Sequence, residues 1–414
     1  MVYYFNKWVV LMLDKALQKY LKSEAKRQKN TIELIASENF VSKEVRKFAG
    51  SILTNKYAEG YPGKRYYGGC FHIDEIESLA QERLIEIFMA RKYKANVQPH
   101  SGSQANMAVY KAFLNLNDTI LAMDLNAGGH LTHGSSVNFS GKEYNIVSYG
   151  VDKKTQRLNY EEIEKIAIEC KPKLIVTGAS SYARTIDFKR FRQIADKVGA
   201  YLMADVSHIS GLIVAGLHPT PVGYADFITT TTHKTLRGPR GGVILCKEEF
   251  IGKINSAVFP GIQGGPLEHI IAAKCQCFYE ASKPEFVNYQ RQIIKNIKAM
   301  EEVFNQYKVK LVSGGSDNHL LLIDTKKSFN LTGKAAETIL DSIGITCNKN
   351  MVPFDKEKPN STSGIRIGSA AMTTRGLKEY DFKTIADIIV CALKGYQTET
   401  VLKNRVKSII KKCK

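Results

Sequence analysis

The chain has 414 residues, 44% hydrophobic and 24% charged, with 59 Lys plus Arg against 40 Asp plus Glu and a formal net charge of +19. This composition excludes a disordered, collagenous or small disulfide-scaffold chain, and the length suits roughly two to three domains with a sizeable core. The positive excess fits an anionic partner or lysines spread over solvated faces, and by itself selects no function.

The first segment, residues 1–13, is apolar but broken by Asn6-Lys7 and stopped by Asp14-Lys15. It falls well short of the ~20 residues of a membrane span and carries no cleavage site. It reads as an apolar arm that packs on a partner or as a stretch ahead of a start at Met12, and the helical pattern opening with Met12-Leu-Asp-Lys favours the second. Residues 14–30 read as a charged amphipathic helix. Between about 80 and 250, helical periods alternate with short apolar runs, the clearest at 174–177, 200–204, 227–230 and 242–246. A helix over 187–198, capped by Asp187, lies between the first two. Strand–helix–strand at this spacing predicts an α/β fold, a parallel sheet covered on both faces. A long helical stretch near 266–306 follows, then a smaller α+β unit with apolar runs at 309–313 and 318–324 and helices near 333–343 and 379–395. The basic tail 403–414 reads as a solvated helix end. The expected division is an N-terminal helical arm (1–50), a large domain (51–280) and a small C-terminal domain (281–414). Eight scattered cysteines without a C-x-x-C pair predict reduced thiols in the cytoplasm.

In an open parallel sheet ligands bind beyond the carboxyl ends of the strands. There the sequence places Ser180 and Arg184, then Asp205 and His208, then His233 and Lys234. A lysine at a buried strand end is costly unless its pKa falls or it is used covalently, and an aldehyde cofactor needs such an amine. Asp205, ending the neighbouring strand, suits a pyridine nitrogen. Ser101-Gly-Ser103 ahead of a helical run over 107–114 suits a phosphate. Together they compose a pyridoxal-phosphate site. A metal site on His130, His133, Asp205, His208 and His233 is the competing reading. It is set aside because the histidine pair follows two glycines rather than lying in a helix, and no H-E-x-x-H occurs.

Six longer segments sharpen this. They are Ile35-Ala-Ser-Glu-Asn-Phe40, the run 53–69 containing Tyr57-Ala-Glu-Gly-Tyr61, Gly128-Gly-His-Leu-Thr-His-Gly134, the run 229–242 around Lys234, Phe259-Pro-Gly-Ile-Gln-Gly-Gly265 and Thr362-Ser-Gly-Ile-Arg-Ile-Gly368. In these the chain resembles the serine hydroxymethyltransferases of bacterial type, over about residues 14–395. The resemblance implies a fold-type I pyridoxal-phosphate enzyme, with a mostly parallel central sheet and a smaller C-terminal α+β domain. It implies a homodimer that moves the serine hydroxymethyl carbon to tetrahydrofolate, giving glycine and 5,10-methylenetetrahydrofolate. Lys234 then resembles the Schiff-base lysine, with His233 beside it in the catalytic set. Asp205 is similar to the partner of the ring nitrogen, His130 to the imidazole over the ring and His208 to the group beside its 3′-oxygen. Ser101, Gly102 and Ser103 resemble the phosphate loop, and Ser180 and Tyr57 further cofactor contacts. Gly265 resembles a phosphate donor from the other copy. Arg366 is similar to the arginine that binds the substrate carboxylate, supported by Ser37 and Tyr67, and Glu59 to the carboxyl that manages the hydroxyl proton. Leu125, Gly129, His130 and Leu131 resemble the folate pocket, with Phe259 from the other copy and Lys358, Pro359 and Asn360 in its covering loop.

The chain departs from the family where Lys358-Pro359-Asn360 stands for a usual Ser-Pro-Phe, and where Ser207 and Ala370 replace a usual alanine and proline. Two other readings follow from the same residues. One is a folate-independent aldolase of β-hydroxy amino acids, distinguished by the folate pocket. The other is a basic RNA-binding protein that keeps the fold, for which Lys234 would be dispensable and binding salt-sensitive.

Overall fold

A computed structural model describes residues 14–413. Segment 1–13, with its two readings as arm or upstream stretch, lies outside the described residues. Seven strands form the central sheet: β1 (Tyr93–Asn96), β2 (Thr119–Met123), β3 (Asn145–Tyr149), β4 (Leu174–Thr177), β5 (Tyr201–Asp205), β6 (Phe227–Thr231) and β7 (Gly242–Lys247). Their order is β1-β7-β6-β5-β4-β2-β3. The pairs from β6 through β3 are parallel, and β7 runs antiparallel to both β6 and β1. The expectation of parallel strands therefore fails at 242–246. Ten residues separate β6 from β7, with no helix among them, and a parallel return needs a longer crossover.

The sheet is apolar on both faces, as buried α/β strands require. Alternate residues face opposite ways: Ile120, Val176, Met203 and Ile244 join one buried cluster, and Leu121, Ile175, Leu202 and Leu245 the other. The helix Phe188–Val198 shows how sequence sets an element. Asp187 caps it by accepting from the Arg190 N–H, Phe188, Phe191, Ile194 and Ala195 face inward, and Gly199 ends it at φ 68°.

Beyond residue 280 the predicted helical stretch breaks in two, Glu268–Ala281 and Pro284–Gln306, because Pro284 cannot continue a helix but can begin one. The second helix joins the sheet's cluster through Phe286 and a separate C-terminal cluster through Ile297, Met300 and Phe304. That second cluster surrounds a three-stranded sheet, β8 (Leu320–Asp324), β9 (Asn348–Asn350) and β10 (Gly364–Gly368), in the order β8-β10-β9. Residues Ile32–Glu33 pair in parallel with Ile345–Thr346, which buries Ile32 and Leu34 in the same cluster. The apolar run at 309–313 forms a single bridge, Leu311 to Ile323, and a helical turn. The tail is not merely solvated: the helix Glu399–Ile410 buries Leu402, Val406 and Ile409 at helical spacing. Among the described residues no helix is long and apolar enough to cross a membrane.

Candidate active site

Because β1, β2, β4, β5 and β6 point the same way, the segments after their carboxyl ends meet at one rim, around a cavity of about 320 Å³. Ser37, Ser101, Gly102, Ser103, His130, Ser180, Asp205, His208, His233, Lys234 and Arg366 all line it. His133, Ala179, Ser207, Thr231 and Arg240 complete the lining.

Two close approaches hold the rim together. The chain leaves β4 at Gly178, at φ +125°, where a Cβ would stand 1.9 Å from the Asp205 carbonyl. The helix α1 (Gly102–Phe113) starts so near β6 that a Cβ on Gly102 would meet Thr231 Cγ2 at 2.7 Å. Ser101 caps α1 by accepting from the Gln104 N–H at 3.2 Å. The first turn therefore presents its N–H groups to the cavity, a ready seat for an anion.

Asp205 ends β5, and four donors reach its carboxylate. Asn106 Nδ2 donates to Oδ2 at 2.9 Å, and the Ser207 N–H and hydroxyl donate to Oδ1 at 3.1 and 2.6 Å. His133 Nε2 lies 3.2 Å from Oδ2. The His130 backbone N–H points at His133 Nδ1 and the Thr132 N–H at His130 Nδ1, each at 3.2 Å. A backbone N–H only donates, so both rings carry their proton on Nε2, and His133 donates to Asp205. Burial alone would raise the Asp205 carboxyl. The donors, His133 foremost, outweigh it and hold the group far below the usual carboxylate range.

Lys234 follows β6 and is 8% exposed, with no hydrogen-bond or ion-pair partner for Nζ among the described residues. Burial pulls its ammonium down to about 8, against the pull of Asp205 and with Arg366 and Arg240 reinforcing it. Burial also lowers His130 to about 4 and His233 to about 3, so both imidazoles are neutral at physiological pH. His233 Nδ1 is buried without a partner. Arg366, on β10, reaches across from the C-terminal sheet. It donates through Nη1 to the Ser180 carbonyl at 2.7 Å and through Nε to Asn348 Oδ1 at 3.2 Å. His208 Nδ1 lies 3.2 Å from His319 Nε2, the rings stacked at 5.3 Å.

His130, His133 and Asp205 come within 4.8 Å of one another, the one such cluster among the described residues. Their facing atoms are engaged in the network above, so the geometry is accounted for without a metal. A pyridoxal-phosphate fits the cavity's donor set. It offers an unpartnered amine, an ionised carboxylate, a helix N-terminus left open by a required glycine, and flat neutral imidazoles.

The remaining site residues lie apart. Tyr57 and Tyr67 are 54% and 47% exposed, with rings edge to face at 5.3 Å. Tyr57 Oη donates to Glu59 Oε1 at 3.2 Å. Gly265 sits on this group, where a Cβ would be 2.8 Å from the Tyr57 ring, and Phe259 packs on Tyr66 at 5.6 Å. None of Tyr57, Glu59, Tyr67, Gly265 and Phe259 borders the Lys234 cavity. Leu125 and Leu131 flank the cavity's His130 loop and are exposed, while Gly129 is buried against the Met123 carbonyl. Lys358, Pro359 and Asn360 are exposed in the loop between β9 and β10. Asn350, at the foot of that loop, donates to Ser181 Oγ at 3.3 Å.

Sequence reasoning passed over Asn106, Thr132 and His319. Thr132 lies within the segment 128–134 without a role assigned to it, Asn106 falls just ahead of the helical run read at 107–114, and His319 sits inside the apolar run 318–324, where nothing marks it.

Residues 10–389 match the family model described as serine hydroxymethyltransferase. A protein of Mycoplasma capricolum subsp. capricolum named serine hydroxymethyltransferase is 60% identical over 401 residues, covering 97% of this chain and 96% of that protein. The match runs through both buried clusters and every strand of the cavity's rim, and the chain belongs to the serine hydroxymethyltransferase family.

Proposed function

We propose that the chain transfers the hydroxymethyl carbon of serine to tetrahydrofolate, reversibly, as a pyridoxal-phosphate enzyme that works as a cytoplasmic homodimer. The observation that carries the reading is the buried Lys234 amine, without a partner among the described residues, lining one cavity with an Asp205 carboxylate that its donors hold ionised. When bound, pyridoxal phosphate supplies an aldehyde for amine capture and a protonated ring that accepts the electron pair of the broken Cα–Cβ bond.

The chain's own residues divide the work. Lys234 binds the aldehyde carbon, and its low pKa keeps a useful fraction of neutral amine. Asp205 keeps a proton on the ring nitrogen, since its donors hold it ionised. Ser101, Gly102 and Ser103 seat the phosphate on the α1 N-terminus, with Ser180 as a further contact and His208 facing the 3′-oxygen. His130 stacks on the ring, and His233 fills the space beside Lys234. Arg366 has two of its three nitrogens committed to protein, which fixes the guanidinium and leaves Nη2 for the serine carboxylate. Ser37 supports that contact.

Glu59, Tyr57, Tyr67, Gly265 and Phe259 act from the other copy in this proposal. Its support is that Tyr57, Glu59, Tyr67 and Gly265 cluster outside their own cavity, with the two tyrosines about half exposed, and that Phe259 packs beside them on Tyr66. Glu59 then takes and returns the serine hydroxyl proton. Leu125, Gly129 and Leu131 line the folate side, covered by Lys358, Pro359 and Asn360. The division at residues 50 and 280 stands as part of the proposal, supported by the two separate clusters. The described part of the first segment lends Ile32 and Leu34 to the second of them. Eight free cysteines are consistent with the cytoplasm.

A serine-to-glycine assay with and without tetrahydrofolate tests the reading. Strong folate stimulation is expected, and glycine release indifferent to folate would overturn it.

A further inference from the structure

Among the described residues, the one fully buried lysine that the chemistry above does not use is Lys274, 1% exposed on the helix Glu268–Ala281. Its Nζ donates to three backbone carbonyls: Val97 at 2.7 Å, Pro99 at 3.0 Å and Gly242 at 2.9 Å. Three acceptors use the three N–H bonds of an ammonium. Its stem passes where a Cβ on Gly241 would stand 2.4 Å away, so the glycine just ahead of β7 makes room for it.

Those carbonyls are not scattered. Val97 and Pro99 lie in the turn from β1 to Ser101, and Gly242 packs on that turn so closely that a Cβ would lie 2.2 Å from the Ser101 carbonyl. The Gly242 N–H returns a bond to the Pro99 carbonyl at 3.1 Å. Gln263 claims the turn's other groups: its Nε2 donates to the Gln98 carbonyl at 3.1 Å, and its Oε1 accepts from the His100 N–H at 3.1 Å. Residues 97–100 are thus held on successive groups by two side chains from outside the turn.

We propose that Lys274 is a positioning residue for the phosphate end of the site, clamping the 97–101 turn so that Ser101–Ser103 and the α1 N-terminus face the phosphate. It touches no reacting atom. It acts through backbone carbonyls, and Gln263 assists from the segment that carries Gly265. The inference rests on the cofactor assignment above.

Calorimetric titration of the cofactor-free protein separates the two claims by using pyridoxal phosphate and its phosphate-free analogue pyridoxal. If the wild-type chain binds neither, the cofactor assignment itself falls. With wild-type binding established, Lys274→Met is expected to weaken pyridoxal phosphate about 10-fold or more, the scale of one lost charge-assisted hydrogen bond, and to leave pyridoxal within about two-fold. Equal weakening of both ligands, the mark of a general structural role, overturns the inference, as does unchanged affinity for pyridoxal phosphate. If Lys274→Met shows no cooperative thermal transition, Gln263→Met decides by the same criterion. It removes the donor to Gln98 and the acceptor of the His100 N–H without adding a charge, and is expected to lower phosphate-dependent affinity about three-fold.

Discussion

The Lys234 cavity and the Tyr57–Glu59–Tyr67 group are built on opposite terms. In the cavity, Asp205 and Arg366 are delivered by strands and held by buried neighbours, Asp205 by four donors and Arg366 at Nε and Nη1, while Lys234 Nζ is left without a partner among the described residues. The tyrosine group sits on a two-stranded hairpin, with Tyr57 and Tyr67 about half exposed. The hairpin itself is firmly rooted. Arg65 donates to Asp74, Glu77 and the carbonyls of Ala58 and Gly60, and Gln98 donates to the Gly60 carbonyl. A rooted base under exposed functional side chains is what a surface built to meet another surface needs. The contrast fits the proposed homodimer, in which one half of the apparatus is complete within a chain and the other meets a facing copy.

The strongest way to break the contrast is to remove the cavity's amine. Lys234→Ala is expected to cost serine cleavage on the order of 10³-fold or more, because a covalently acting amine has no local substitute. Near wild-type turnover in that variant would remove the cavity from the chemistry. The complementary test mixes subunits. Lys234→Ala and Glu59→Gln proteins are each expected to be nearly inactive. Refolded together they should regain about a quarter of wild-type activity, since half the dimers are mixed and each mixed dimer holds one intact shared site. Absence of recovery would place Glu59 in its own chain's site.

Next in size is Arg366→Ala, expected to raise the KM for serine roughly 10- to 100-fold through loss of a charge-assisted contact, with a smaller effect on kcat. An unchanged KM would break the role. Lys234 also sets a pH signature. Its folded pKa is lowered to about 8, and only the neutral amine captures an aldehyde, so the rate of pyridoxal-phosphate uptake should rise with pH and level off just above 8. A stopped-flow profile still rising near pH 10, as for an ordinary lysine, would contradict the burial account. The smallest effect concerns the covering loop. Asn360→Phe is expected to tighten tetrahydrofolate about 2- to 10-fold, the worth of one aromatic contact. No change would place residue 360 outside the pterin contact.

The signals that survive folding are local ones. The four runs read as strands from 174 to 246 became β4 to β7 within a residue or two. The Asp187 cap and Gly199 stop follow from side-chain and backbone chemistry that needs no distant partner. The placing of Ser180, Asp205 and Lys234 just beyond strand ends was equally readable, because in a parallel sheet the chain's direction already decides which loops share a rim. What the amino-acid order could not decide is anything set by closure in space. The reversal of β7, the burial of Leu402 and Val406 in the basic tail, and the recruitment of Ile32 to the C-terminal cluster all depend on which surface happens to be adjacent. The same holds for the polar shell of the site. Asn106, His133 and Ser207 converge on one carboxylate, and Lys274 reaches three carbonyls from a position 32 residues beyond the last of them. Sequence singled out Asp205 and Lys234 because ionisable residues are rare at buried strand ends, and Glu59 and Arg366 only through the family resemblance. The tertiary structure assigned the groups that hold them, because a hydrogen bond of 3 Å is a fact about distance and not about order along the chain.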